Sequence, residues 1–263
     1  MSIAVAAGVL NLVLGAVYLQ YGTMTILEMK RGWRTLGFSH FGAAWIALAF
    51  TCGPHHVVHG LHTLFEGRVA GPLDLIAVAI GFPAGVIWFL LRVEAFRGGD
   101  GDRFIRATPL LVMILPVFAG AYMAAMGAAA LDSGQAIEWS WVVVPNLGLI
   151  AIFLAIAYYL IRTQLGNRPL LGGWSTSGLA LALIFPTCAA MHAVYAYYAM
   201  TGQYGLDSHG FLIDWIGVPA GLYFLWVVRG LYRDAFADWN LGQPPDAPQL
   251  SVDGGIPTRA RLA

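Results

Sequence analysis

Apolar runs of about twenty or more residues recur along this chain, the length needed to cross ~30 Å of hydrocarbon. Such runs leave little choice of structure. Inside lipid every backbone N–H and C=O must find a partner within the protein, so each run becomes a helix. Seven spans are legible, at 3–27, 36–62, 72–95, 107–131, 139–161, 174–200 and 209–233. Only 11% of the residues are charged, against roughly a quarter in a soluble domain. The expected fold class is therefore an all-α integral membrane protein with seven transmembrane helices. Residues 1–235 form the membrane domain, and 236–263, with "GQPPDAPQ" and "DGGIP", form a flexible tail with too little apolar surface to fold. The first span lacks a basic leader and is long for a signal peptide, so it reads as a mature helix.

The basic residues orient the spans. Lys30, Arg31 and Arg34 lie between spans one and two, and Arg92, Arg97, Arg103 and Arg106 border the third connection. Arg162 and Arg168 lie at the fifth, and Arg229, Arg233, Arg259 and Arg261 follow span seven. All thirteen share one side of the membrane, and Arg68 alone lies on the other. The positive-inside rule puts the N-terminus outside and the C-terminus, with its tail, in the cytoplasm. The plasma (inner) membrane of a bacterium is the expected location. With net charge zero and no basic patch, nucleic acid is not an expected partner. The lipid bilayer is, and a homo-oligomer is compatible with the composition.

An internal repeat lies within the spans. At an offset of 136, "GFPAGVIWFLL" (81–91) falls on "GVPAGLYFLWV" (217–227), Thr51-Cys52 on Thr187-Cys188, and His56 on His192. Gly37, Ser39 and Gly42 meet Gly173, Ser175 and Gly178; one residue out of step, "NLVLGAVYL" (11–19) meets "NLGLIAIFL" (146–154). Copies at 1–98 and 138–234, joined by a helix at 107–131, make a 3+1+3 layout. Four spans separate the copies, so both have one orientation and a pseudo-twofold axis runs along the membrane normal. The repeated G-x-P-A-G reads as a close-packing motif with a bend.

The densest chemistry is "TCGPHHVVHGLH" at 51–62. Four residues of helix turn about 400°, so Cys52 and His56 sit one above the other, as do Cys188 and His192. These are the only cysteines in the chain. A twofold arrangement brings two sulfurs and two imidazoles to one centre, a donor set for Zn(II) or Cu(I). The stripe extends outward through His59 and His62, which correspond to Tyr195 and Tyr198, while His55 corresponds to Met191. Asp74, His209 and Asp214 begin spans on the same side. The expected metal donors are Cys52, His56, His59, His62, Cys188 and His192, in a funnel open to the extracytoplasmic side. Pro54 and Pro186 each free a carbonyl in the spans that carry the cysteines.

These features support a membrane protein that binds copper or zinc for metal handling, sensing or redox chemistry. The alternative cofactor is haem b with His56 and His192 as axial ligands. A metal-dependent lipid hydrolase using His59, His62 or His209 with Asp74 is a third class. The seven-span zinc hydrolases of the ceramidase and adiponectin-receptor type carry a His-x3-His pair in the last span, where this chain offers only His209. The repeat also suits a small-solute transporter. Packing residues, interfacial histidines and a Cys52–Cys188 disulfide are the structural alternatives. No catalytic residue is assigned. The 3+1+3 plan with an outside N-terminus resembles the general layout of microbial rhodopsins. Those proteins hold retinal on a lysine of the last span; the single lysine here, Lys30, lies in a connection, which excludes a retinal Schiff base.

The thirteen-to-one split of basic residues makes a testable statement. A topology reporter fused after Ala263 is expected to behave as cytoplasmic, and extracytoplasmic activity would invert the funnel.

Overall fold

Glycines spaced by seven fix the first helix pair. The computed structural model describes residues 2–65, 71–133, 141–202 and 211–240. In it, α1 (Ile3–Leu36) and α2 (His40–Phe65) meet along Gly8 and Gly15 of one and Gly53 and Gly60 of the other. A Cβ on Gly15 would stand 2.9 Å from the Gly53 carbonyl oxygen, and one on Gly60 2.8 Å from that of Gly8. The two backbones therefore approach as only small residues allow.

The other helices are α3 (Pro72–Phe96), α4 (Leu110–Asp132), α5 (Val143–Leu171), α6 (Thr176–Met200) and α7 (Phe211–Asn240). Among the described residues seven helices are thus long and apolar enough to cross a membrane, and the protein is an all-α integral membrane protein. Helix α1 packs on α2 and α3, and α5 packs on α6 and α7; α2 meets α7, and α3 meets α6. The order α1–α2–α7–α5–α6–α3 closes a ring in which α2 and α6 stand opposite each other. Helix α4 lies outside it against α6. That cover explains why α6 has almost no lipid face, with 94% of its most apolar stretch buried.

Local chemistry recurs at the aligned positions. Ser39 and Ser175 each accept a hydrogen bond from the backbone N–H of the glycine three residues on, Gly42 and Gly178, which satisfies an otherwise orphaned helix donor. Thr51 and Thr187 each donate to carbonyls three and four residues back. Helix α3 starts on Gly71-Pro72, and Asp74 reaches back to accept from the Gly71 N–H at 2.8 Å.

Several boundaries differ from the sequence reading. Helices α1 and α5 run about nine and ten residues past the expected spans, to Leu36 and Leu171, because helices continue into the polar interface until a left-handed glycine stops them, as Gly172 does for α5 (φ 66°). Helix α7 extends to Asn240, so residues 236–240 of the expected tail are helical. A two-residue ladder, β1 (Phe104–Ile105) with β2 (Trp174–Ser175), joins two connections. The 241–263 tail, Arg68 and His209 lie outside the described residues.

Substituting Gly60 by alanine forces the α1–α2 seam apart. An overpacking cost of about 1–3 kcal/mol should lower the thermal midpoint in detergent. Gly127→Ala, where a Cβ meets open space, should leave it unchanged.

Candidate histidine and cysteine site

The glycine seam positions the first histidine. On α1, Asn11 lies between Gly8 and Gly15; on α2, His56 lies between Gly53 and Gly60. The close approach lets the short Asn11 side chain reach His56, with Oδ1 2.7 Å from Nδ1. Asn11 Nδ2 donates to the Ala7 carbonyl at 2.9 Å, which fixes which end of the amide faces the ring. A carbonyl oxygen only accepts, so His56 Nδ1 carries the hydrogen. In the neutral ring Nε2 then presents a lone pair. Tyr18 stacks on the imidazole, with centroids 5.6 Å apart.

The same device recurs on α5 and α6. Asn146 Oδ1 accepts from His192 Nδ1 at 2.6 Å. Its Nδ2 donates to the Val142 carbonyl at 2.8 Å and to Asp214 Oδ2 at 2.9 Å. Both amide hydrogens face pure acceptors, so only one orientation of Asn146 satisfies the cluster. Asn11 and Asn146 are completely buried.

A third histidine joins them. His55 Nδ1 lies 2.9 Å from Asp214 Oδ1, while its Nε2 is buried without a hydrogen-bond partner among the described residues. The His55 ring centroid is 5.5 Å from that of His192 and 6.4 Å from that of His56. Two imidazoles on one tetrahedral ion, with Zn–N near 2.0 Å, have centroids about 5 Å apart. His55, His56 and His192 line one cavity of about 20 Å³, together with Thr51, Cys52, Cys188, Met191, Tyr195 and Asp214. That is room for about one water or one ion.

Cys52 and Cys188 are free thiols, so the disulfide alternative is not formed. Both also line an adjoining space with Tyr18, Trp45, Phe153 and Phe185. The Tyr18 hydroxyl lies 3.7 Å from Cys188 Sγ.

The outer part of the stripe takes a different course. His59 Nε2 stands 3.5 Å from Asp74 Oδ1, and Asp74 Oδ2 accepts from the Tyr198 hydroxyl at 2.7 Å. His62 lies six residues, about 9 Å of helix rise, beyond His56 and is half-buried. Among the described residues no three His, Cys, Asp or Glu side chains stand close enough to enclose one metal ion. The six expected donors are therefore not gathered in one shell. Asp74 engages His59, and the helix rise carries His62 away.

Sequence reasoning paired His55 with Met191 but left it out of the donor set, and it aligned Asn11 with Asn146 without assigning them a role. The available signal was an amide in each of two apolar spans at matched positions. No protein-family model matches the chain, and no curated protein or solved structure matches it either.

Proposed function

We propose that the protein binds one transition-metal ion, Cu or Zn, through His55, His56 and His192, for metal handling, sensing or redox chemistry. The observation that carries this is the treatment of Nδ1 on three rings around one cavity. His56 and His192 donate to buried asparagines, and His55 faces Asp214. Metal-binding histidines are oriented in this way, with the far nitrogen held by an amide, carbonyl or carboxylate so that the near one keeps its lone pair. Cys52 and Cys188 on the same wall offer soft sulfur. No such trio among the described residues encloses an ion at the present spacing, so closing three nitrogens on one ion requires the rings to move together.

The 3+1+3 repeat supports a twofold site. Asn11–His56 and Asn146–His192 are hydrogen-bonded alike, and the contacts of α1, α2 and α3 are those of α5, α6 and α7. With the N-terminus outside, the site would lie about a turn to the outer side of mid-membrane, with buried Asp74, Tyr198 and His59 further outward. Haem b is the second reading, with His56 and His192 as axial ligands. Cofactor pockets usually occupy about 300–1,000 Å³, so a 20 Å³ cavity favours an ion. The hydrolase reading would use Asp74 and His59, which engage each other and Tyr198.

Titration of the detergent-purified chain with Cu(I) and Zn(II), read as bound metal, tests the site. About one ion per chain is expected. His56→Ala and His192→Ala should lose it, and Asn11→Leu or Asn146→Leu should weaken it by about 10–100-fold. His40→Ala should not matter, since His40 is exposed and bonds Tyr223. Unchanged metal content in both histidine variants rejects the site, and a Soret band in the purified protein transfers it to haem.

A further inference from the structure

We infer that the bundle contains a passage from the histidine cavity to the cytoplasmic side, along which the protein delivers its ion as Cu(I). This rests on the metal-binding reading above and adds an activity, transmembrane delivery, to it.

The first observation is a series of cavities. The histidine cavity and the next space share Cys52, Cys188 and Phe153 as walls. That second space ends on Trp45, seven residues or about 10 Å along α2 from Cys52. There Trp45 packs on Trp88 and Tyr21, with centroids 4.2 and 5.0 Å away. Beyond this aromatic plug opens a vestibule of about 420 Å³, whose walls include Tyr21, Trp88, Glu28, Met29, Arg92 and Ser177. By the orientation given above it faces the cytoplasm.

The second observation is unsatisfied polarity at each level. Among the described residues, His55 Nε2, Trp45 Nε1 and Arg92 Nε are buried without hydrogen-bond partners, although Arg92 Nη2 pairs with Glu28 at 3.2 Å. Most buried polar atoms in folded proteins are satisfied, and a lone pair at the outer cavity with N–H donors at the plug and the vestibule marks a route that takes in polar guests.

The third comes from comparing the copies. At the repeat offsets, Trp45, Trp88 and Arg92 correspond to Leu181, Phe224 and Val228, and Tyr21 corresponds to Ile156. All four counterparts are buried core residues. Apolar packing therefore satisfies the architecture at these positions, and the polar and charged groups of the first copy serve another purpose. The donors along the route select the ion. Imidazoles with Met191 come first, the two thiols next, and Met29 stands in the vestibule. Sulfur ligands favour Cu(I). The ion moves by ligand exchange and keeps its oxidation state; a thiol that binds it releases a proton and regains one when the ion leaves. The plug closes the route in this structure, so delivery requires the two three-helix units to rock against each other.

The test uses the full chain in liposomes that enclose a copper- and zinc-sensing dye, with Cu(I) kept reduced by ascorbate, or Zn(II), added outside. Cu(I) should enter at least tenfold faster than in protein-free liposomes, and faster than Zn(II). Ser177→Trp fills the vestibule far from the histidines; it should cut entry at least tenfold with bound metal unchanged. Trp45→Ala opens the plug and should speed entry. A protein that binds metal but delivers none overturns the passage and leaves the binding site standing. Loss of binding itself overturns the function proposed above. Equal rates for Zn(II) overturn the selection by sulfur, and unimpaired entry in Ser177→Trp overturns the vestibule as the exit.

Discussion

Two asparagine–histidine hydrogen bonds, each inside the apolar bundle, organise the centre of this protein. In water such a bond contributes little, because solvent competes for both partners. Away from water, neither Asn11 nor His56, nor Asn146 nor His192, has an alternative that leaves its polar atoms satisfied. Each bond therefore fixes a ring, a tautomer and a helix-to-helix distance together. The glycine seam between α1 and α2 is the backbone side of the same constraint, since a wider separation would take Asn11 out of reach. At an offset of 136 residues Ala189 and Ala196 align with Gly53 and Gly60, and both are buried.

The carboxylates distinguish two levels of the cluster. Asp214 joins α7 to α5 and α2 by meeting Asn146 and His55. Asp74 joins α3 to α6 and α2 through Tyr198 and His59, while also capping its own helix. Ionisable groups at membrane depth are costly unless paired, and they concentrate where function requires them. Here both Asp74 and Asp214 meet a histidine of α2, and the three rings of the inner level share one cavity. The ring of six helices brings α2 and α6 face to face, and α4 covers α6 from lipid.

Much of this was legible in the residues. Span number and order followed from apolar length, since lipid admits so few structures. Ser39 and Ser175 make like capping hydrogen bonds, and Thr51 and Thr187 make like bonds to the backbone. The donor set was less legible. Helical spacing put His59 and His62 on the face of Cys52 and His56, but spacing carries no information on which neighbouring helix offers a partner. Asp74 lies fifteen residues beyond His59 in sequence and meets it only because α3 folds back. His55 is off the Cys52–His56 line by one residue, about 100°. It still reaches the cavity, because α7 supplies Asp214 on that side. Helix ends were the remaining difference, because hydropathy marks the hydrocarbon core and not the turns of helix beyond it.

The central claim is that His55, His56 and His192 carry hydrogen on Nδ1 and hold Nε2 free for an ion. Nitrogen-15 NMR of histidine-labelled, metal-free protein reads this directly, because protonated and lone-pair ring nitrogens resonate far apart. The account predicts the Nδ1–H tautomer for all three rings, with the Nε2 signals of these rings shifting on addition of Cu(I) or Zn(II). Nε2–H tautomers at His56 and His192, or Nε2 signals indifferent to both metals, would contradict it.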